Sequence, residues 1–310
     1  MGIIHYEINW PGKNIPIDLC AHELSRYGYH WHEEEYEIDI LLSGKGEFCC
    51  EGSMFTLEAD DVILINCKDG HGSFTLEPNT YSIVLRFSSE AFKKYVEPDK
   101  RFKFHCVSGE ATRNDPAFRR LCACAAQILE AQIHRSPHAD LAVEGAMELL
   151  MYTLFRSFPP TQIPHVKPKD DERRKSIANI IKYVDRHFSQ KITLDDLARI
   201  TRYNRTYVST FFKENVGMNF YEYLTRVRFV HALNDLDHKE KNLTEIAIDN
   251  GFPDLKTFNY RFRDLFHMYP SEYRLVAEGV VPRKPNQRRY CEEDNELVVG
   301  KMGEYMGEVL

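Results

Sequence analysis

Residues 242–274 read NLTEIAIDNGFPDLKTFNYRFRDLFHMYPSEYR, and residues 192–224 read ITLDDLARITRYNRTYVSTFFKENVGMNFYEYL. The two stretches repeat one pattern: a short capped helix, an alanine, a turn, a second helix with aromatic and basic residues, and a final tight turn. The matched positions include Ala198 with Ala247, Phe212 with Phe262, Met218 with Met268 and Tyr223 with Tyr273. Because a small residue allows two helices to cross closely, the pattern predicts a helix-turn-helix unit in each copy.

The turn between the two helices of each unit favours a residue with positive φ. Gly251 meets this demand without a steric penalty, whereas Arg202 stands at the equivalent position of the first copy. The first turn is therefore predicted to be strained or to differ in shape. Thr206 and Lys256 begin the two second helices, and residues 221–236 read as one connecting helix of about 24 Å. Such a helix, with its flanking turns, would place two recognition helices in successive major grooves of DNA, about 34 Å apart.

Residues 173–277 resemble the DNA-binding domain of the AraC/XylS family of bacterial transcription regulators. The second copy carries the family's signature spacing in Gly251-Phe252, Phe258, Phe262, Pro270, Glu272 and Tyr273-Arg274. The sequence departs from the family at Arg202 and His267, where glycine is usual. The resemblance implies base contacts from Arg205, Thr206, Ser209 and Thr210 in the first unit and from Leu255, Lys256, Asn259 and Tyr260 in the second. Three further basic residues are better placed for phosphates: Lys213, Arg261 and Arg263.

The uneven charge distribution along the chain indicates that one segment binds an anionic partner. The 310 residues carry a net charge of −7, which argues against non-specific coating of nucleic acid. Residues 1–172 carry a net −10, residues 173–277 a net +5 and residues 278–310 a net −2. No run of about 18 apolar residues predicts a membrane span, and the N-terminus lacks the pattern of a secretory signal. The eight cysteines form no CxxC pair, which favours reduced thiols and a cytoplasmic location.

The N-terminal part predicts short β-strands with turns between them. Tyr36, Ile38 and Ile40 alternate with polar residues, residues 43–46 form a turn, and residues 62–65 read as a buried strand. Two helices follow, opened by Asp115-Pro116 and Ser136-Pro137. We therefore predict an α+β chain: a cupin-like β-barrel with two helices (1–158), a proline-rich linker (159–172), an all-α DNA-binding domain with two helix-turn-helix motifs (173–277) and a polar C-terminal extension, disordered or partly helical (278–310).

The barrel sequence also resembles the cupin motifs. His30, His32 and Glu37 resemble the first motif, and His71 loosely resembles the second; in metal-binding cupins three histidines and one glutamate hold a divalent ion. The prediction for this chain is a barrel that needs no cofactor, with these four residues as the ligands if a metal binds. The candidate effector-binding residues, with a neutral sugar or glycoside as the effector, are Arg26, His30, Trp31, His32, Glu37, His71 and Tyr81.

The combined prediction is a sequence-specific transcription regulator and not an enzyme. An effector in the barrel would shift the arrangement of barrel and DNA-binding domain. Activation is expected, with double-stranded operator DNA and RNA polymerase as partners, no membrane, and a homodimer formed through the helices at 115–158. The alternative is a metal-dependent cupin enzyme fused to a DNA-binding module, for which stoichiometric metal in the purified protein would be the discriminating observation.

Overall fold

The computed structural model describes residues 2–24, 26–135, 137–164, 168–236, 241–276 and 289–307. Within these ranges the side chains of residues 26, 27, 168–170, 276 and 289 are also not described. The N-terminal half is built of antiparallel sheets and the C-terminal half of helices, so the predicted α+β class is confirmed. None of the described helices combines the length and the apolarity that a bilayer crossing requires.

The first sheet has the strand order β1-β2-β9-β4-β7, and all its pairs are antiparallel. Its strands are β1 (His5–Trp10), β2 (Ile15–Glu23), β4 (Glu35–Ser43), β7 (Val62–Ile65) and β9 (Tyr81–Ser88). The alternation along β4 divides its side chains between two faces. Tyr36, Ile38 and Ile40 pack into the large core beneath the helices, and Glu37 and Asp39 point into the space behind the sheet.

The second sheet has the order β3-β8-β5-β6. Its strands are β3 (Arg26–His30), β5 (Lys45–Cys50), β6 (Ser53–Glu58) and β8 (His71–Thr75). A small apolar cluster that includes Leu41, Phe48 and Ile63 lies between the two sheets. The two sheets therefore enclose one interior, and this two-sheet unit is called the barrel below.

Two long helices cover the outer face of the first sheet: α1 (Pro116–His134) and α2 (Ala139–Ser157). Asp115 caps α1 by accepting a hydrogen bond from the Ala117 amide at 2.9 Å, with proline at the first helical position, as the sequence predicted. The sequence predicted that the second helix opens at Ser136, and this residue lies outside the described part of the chain. Between β9 and α1 the chain forms a short 3-10 helix (Ser89–Phe92) and β10 (Lys100–Lys103).

The predicted linker is more ordered than its proline content suggests. Its residues Thr161–Pro164 form β11, which pairs with β10, and the helix α3 (Pro168–His187) already begins at Pro168. Proline at a strand end needs no ladder donor, so Pro164 can close this short edge strand. Residues 165–167 lie outside the described part of the chain.

The C-terminal segment is partly helical, which is one of the two predicted alternatives, but its packing on the N-terminal domain was not predicted. β12 (Arg289–Tyr290) pairs with β2, and α10 (Glu296–Gly307) packs against α1. Val298, Met302 and Tyr305 stand at helical spacing and bury one face of α10 in the core of the barrel domain. The Tyr305 hydroxyl donates to Asp60 Oδ1 at 2.7 Å. The segment thus belongs to the N-terminal domain by its packing, although it follows the helices of the C-terminal half in sequence. Residues 277–288 and 308–310 lie outside the described part of the chain.

Six further helices complete the C-terminal half. They are α4 (Leu194–Thr201), α5 (Arg205–Val216), α6 (Phe220–Leu236), α7 (Leu243–Asp249), α8 (Leu255–Phe266) and α9 (Pro270–Val276). Capping boxes open α4 at Thr193 and α7 at Asn242. The connecting helix α6 has 17 residues, about 25 Å at 1.5 Å per residue, in agreement with the predicted span.

Candidate DNA-binding surface and effector pocket

The second helix of each helix-turn-helix unit is fixed at its start by a side-chain cap. Asn204 accepts a hydrogen bond from the Tyr207 amide at 2.8 Å at the start of α5, and Asp254 accepts one from the Thr257 amide at 2.6 Å at the start of α8. Phe211 and Phe212 of α5 are buried, as are Phe258 and Phe262 of α8. The caps and the apolar faces therefore set which side of each helix is presented to solvent.

The predicted DNA-contacting residues lie on the solvent side of these helices. Ser209, Leu255 and Asn259 are half-buried, and the remaining eight are exposed: Arg205, Thr206, Thr210, Lys213, Lys256, Tyr260, Arg261 and Arg263. Three of them have side-chain contacts within the described part of the chain: the Thr210 hydroxyl donates to the Thr206 carbonyl at 3.4 Å, and two arginines contact neighbouring side chains. Arg205 Nη1 lies 3.7 Å from Asp195 Oδ2, and Arg263 Nη1 donates to the Tyr269 hydroxyl at 2.9 Å. Exposed ion pairs are weak, so the contact of Arg205 can be exchanged for a contact with DNA.

The turns of the two units have the same backbone conformation despite their different residues. Arg202 has φ 60° and Gly251 has φ 82°, both in the left-handed region. At the ends of the recognition helices Gly217 has φ 85° and His267 has φ 55°. Of the two alternatives left open for the first turn, the strained one therefore holds, since Arg202 adopts the conformation that glycine favours.

Four of the predicted barrel residues come together at one point. The ligand nitrogens of His30, His32 and His71 all lie within 4.8 Å of one another. Glu37 joins them: its Oε2 is 3.3 Å from His32 Nε2, and its Oε1 is 3.4 Å from His71 Nε2. β3 ends at His30, β8 begins at His71 and pairs with it, and β4 carries Glu37 on its inward face. This group of four residues is called the histidine cluster below.

The other ring nitrogen of each histidine faces an acceptor outside the cluster. His30 Nδ1 is 2.8 Å from the Gly28 carbonyl oxygen, and His71 Nδ1 is 3.1 Å from the Asp69 carbonyl oxygen. His32 Nδ1 is 3.3 Å from Glu35 Oε2. A carbonyl oxygen only accepts, so the Nδ1 atoms of His30 and His71 carry protons. In the neutral rings the Nε2 lone pairs consequently point into the cluster.

The surroundings of His30 favour its neutral imidazole. Burial lowers the pKa of His30 to about 3, and the neighbouring His71 acts in the same direction. Arg86, on the inward face of β9, ion-pairs with Asp18, and its Nε lies 3.9 Å from Glu37 Oε2. The sequence analysis missed Arg86, although the alternation of β9 places it on the face opposite Ile83 and Leu85.

Two of the remaining predicted effector residues do not join this cluster. Tyr81 is on the other face of β9 and packs against the core beneath the helices, away from the cluster, and its role in effector binding stays a prediction. Trp31 is half-buried just outside the cluster, where its Nε1 donates to Glu33 Oε1 at 2.9 Å. The side chain of Arg26 lies outside the described residues.

The space available differs sharply between the inside and the mouth of the barrel. Among the described residues, the interior cavity beside Glu37, Asp39 and His71 measures about 10 Å³, room for a water molecule but not for a sugar. A cavity of about 470 Å³ lies at the mouth, between the end of β3 and α3. Its lining includes His30, Trp31, Ile181, Lys182, Asp185 and Arg186. The mouth cavity is therefore large enough for a small organic ligand.

The barrel and the DNA-binding helices are joined by a contact that the sequence analysis did not predict. Tyr29 of β3 donates its hydroxyl hydrogen to the Asn215 carbonyl at 2.8 Å, and the Gly52 amide donates to the same carbonyl at 3.0 Å. Arg226 of α6 binds the carboxylate of Glu47 with two nitrogens, one at 2.8 Å. A Cβ at Gly52 would collide with the Glu214 carbonyl, so the close approach requires glycine there. The end of recognition helix α5 is thereby held on the second sheet.

Comparison with known proteins agrees with this division. A model of the AraC-like ligand binding domain matches residues 16–154, and a model of a helix-turn-helix domain matches residues 197–275. An uncharacterized HTH-type transcriptional regulator of Staphylococcus aureus is 22% identical over 263 residues, which are 84% of this chain and 34% of that protein. This chain thus spans about a third of the length of that relative.

Two further similar proteins are named ones. The lactose operon transcription activator of Staphylococcus xylosus is 25% identical over 240 residues, 76% of this chain and 82% of the activator. The crystal structure of ToxT from Vibrio cholerae O395 aligns over 85% of this chain and 99% of ToxT, with 14% identity and a TM-score of 0.38. The chain thus combines an AraC-like ligand-binding domain with an AraC-type helix-turn-helix domain, and the curated relatives that it matches are transcription regulators.

Proposed function

We propose that the protein is a sequence-specific activator of transcription that acts on DNA as a small-molecule sensor and catalyses no reaction. The observation that carries the proposal is the pair of capped helices α5 and α8, each with a buried phenylalanine face and an exposed polar face. Arg and Lys suit guanine O6 and N7, and Asn suits adenine N6 and N7. Lys213, Arg261 and Arg263 would contact phosphates and set the register.

Substitutions on α8 test the DNA-binding part of the proposal. Lys256→Ala or Asn259→Ala is expected to weaken specific binding by about 1–3 kcal/mol and to relax the preference at one base pair. Lys191→Ala removes an equally exposed cation that precedes α4, and it is the matched control. Fluorescence anisotropy on operator and scrambled duplexes measures both affinities. If the α8 variants bind the operator as tightly as the Lys191 variant, the assignment of α8 as a base-reading helix is rejected.

The effector site is proposed at the mouth cavity rather than inside the barrel. The interior has room only for a water molecule, whereas the mouth offers about 470 Å³ beside an indole face and the charged groups of Lys182, Asp185 and Arg186. An aromatic face with polar groups around it suits a neutral sugar or glycoside, and the relative from Staphylococcus xylosus is an activator of a lactose operon. Trp31 and His30 then remain effector-contacting candidates.

A substitution at Trp31 tests the effector site. Trp31→Ala is expected to abolish the response of DNA binding to the sugar that changes it in the wild type, while Trp31→Phe keeps part of it. Tyr95→Ala removes an exposed aromatic elsewhere on the N-terminal domain and serves as the control. Operator binding is measured with a panel of mono- and disaccharides. If no sugar changes operator binding by the wild type, the carbohydrate class of effector is rejected.

The proposed mechanism by which the effector controls DNA binding rests on the two walls of the mouth cavity. One wall belongs to the barrel and the other to α3 of the DNA-binding half, so a ligand there contacts both. It can shift their arrangement only by the difference in its affinity for the two arrangements. In this proposal the regulator works in the cytoplasm, on chromosomal DNA and with RNA polymerase.

The same regulator is proposed to act as a homodimer. Helix α1 is covered by α2 on one side and α10 on another, so the expected dimer contact is placed on α2. Leu141 and Tyr152 are 68% and 52% exposed and stand 11 residues apart, on one face of α2. Analytical ultracentrifugation of a Leu141→Glu variant tests this placement: a lower dimer fraction than in the wild type is expected.

A further inference from the structure

The equivalent turns of the two helix-turn-helix units carry opposite charge. Residues 199–205 read RITRYNR, with three arginines and no acid, a net +3, whereas the matched residues 248–254 read IDNGFPD, with two aspartates and no base, a net −2. We propose that the first turn is an anchor for the DNA backbone, with Arg202 as its phosphate-binding residue, and that the second turn makes no such contact. This inference rests on the proposed DNA-binding function and adds to it a difference between the two units.

The first turn has room for a side chain and the second does not. A Cβ at Gly251 would lie 2.8 Å from the Ser189 carbonyl oxygen and 2.9 Å from the Phe188 carbonyl oxygen, just after the end of α3. Arg202 has the same left-handed backbone, with φ 60°, but its side chain is exposed to solvent. The packing around the two turns therefore admits a long side chain at the first turn only.

The guanidinium of Arg202 has no hydrogen bond or ion pair within the described part of the chain. Its two neighbours differ, because Arg199 Nη1 lies 3.3 Å from Asp196 Oδ1 and Arg205 Nη1 lies 3.7 Å from Asp195 Oδ2. A non-glycine residue in the left-handed region costs stability. No contact among the described residues offsets that cost at Arg202, and strained residues that persist are concentrated at functional sites. An external partner for this exposed cation accounts for both features.

Arg202 stands at the end of the recognition helix that meets DNA. In helix-turn-helix proteins the N-terminal residues of the second helix contact base edges in the major groove. Asn204 caps α5, and Arg202 comes two residues before this cap. A side chain there lies at the border of the groove, which is formed by the phosphates of the backbone. Arginine binds a phosphate with two parallel N–H groups, and such a contact adds affinity without sequence information.

The acids of the second turn have structural partners instead. Asp254 caps α8 by accepting a hydrogen bond from the Thr257 amide at 2.6 Å, and Asp249 Oδ2 lies 3.0 Å from Lys241 Nζ. Carboxylates are repelled by phosphates, so the second unit would approach DNA through the side chains of α8 rather than through its turn. We therefore expect the first turn to supply salt-dependent affinity that is the same for every sequence.

The salt dependence of DNA binding by the full-length chain tests the anchor. Fluorescence anisotropy gives the affinities for operator and scrambled duplexes from about 50 mM to about 200 mM salt. Arg202→Gly should lower the slope of log affinity against log salt by about 0.9, which is about eightfold weaker binding at about 0.1 M salt, on both duplexes alike. Arg202→Lys keeps the charge and should keep the slope. Lys191→Ala, which removes an exposed cation before α4, should bind as the wild type does.

Urea unfolding establishes that Arg202→Gly is folded, and glycine in the left-handed region is expected to make it more stable than the wild type. Weaker DNA binding by a more stable variant then comes from the lost contact and not from unfolding. The inference is overturned if Arg202→Gly keeps the wild-type affinity and slope, or if its loss is confined to the operator, which would make Arg202 a base-reading residue. If the wild type does not prefer the operator, the proposed sequence-specific function fails, and the scrambled duplex alone still decides the anchor.

Discussion

The ion pair between Glu47 and Arg226 should hold the barrel and the DNA-binding helices together. Arg226 uses two nitrogens, one of them 2.8 Å from Glu47 Oε1, and the side chains are only 18% and 16% exposed. Removing one partner of a fully buried pair costs about 3–5 kcal/mol, because the other charge stays buried and unpaired. Since water reaches about a sixth of each side chain, we expect about 2–3 kcal/mol for Glu47→Ala or Arg226→Ala.

A double-mutant cycle separates this interaction from the other effects of each substitution. Urea unfolding followed by circular dichroism gives the free energy of unfolding for the wild type, both single variants and the double variant. We expect a coupling energy of about 1–3 kcal/mol. The pair Lys45–Glu58 on the same sheet is the control, because its side chains are 37% and 44% exposed at a separation of 2.9 Å; its coupling should be about 0.2–1 kcal/mol. A Glu47–Arg226 coupling no larger than that of the control would refute the reasoning.

Three further variants test other features of the fold by urea unfolding. Arg202→Gly should stabilise the protein by about 1 kcal/mol, because it removes a non-glycine residue from the left-handed region. The control Arg199→Gly, inside α4, should destabilise the protein by about 1 kcal/mol. If both variants change the free energy of unfolding in the same direction, the strained turn is contradicted. Met302→Ala should cost about 2–5 kcal/mol if α10 packs as described, whereas the 45% exposed Val299→Ala should cost far less. Asn242→Ala should cost about 0.5–2 kcal/mol through loss of the cap of α7, and no change would exclude that cap.

Much of the helical half could be predicted because its signals are local. The cap at Asn242, the glycine at 251 and the spacing of Phe258 and Phe262 each constrain only a few neighbouring residues. The same holds for β4, where strict alternation separated Tyr36 and its neighbours from the inward side chains. Periodicity and capping act within a turn or a strand, so they are readable in the sequence alone.

The contacts between distant segments could not be predicted in this way. Arg226 reads as an exposed charge on a helix, and nothing near it in sequence indicates Glu47 as its partner. The apolar positions of Val298, Met302 and Tyr305 were a readable helical signal, but three glycines in residues 300–307 obscured it because glycine lowers helix propensity. The convergence of the four cluster residues was predicted only through the cupin resemblance, and its geometry required the pairing of β3 with β8.

The most direct test of the central claim is selection of bound duplexes from a random-sequence DNA library by the purified full-length chain. If each chain places α5 and α8 in successive major grooves, the selected sequences should share two short conserved elements about 10–10.5 base pairs apart. The Lys256→Ala variant should lose the preference in one element only. Recovery of sequences with no shared element would contradict the account of a sequence-specific regulator.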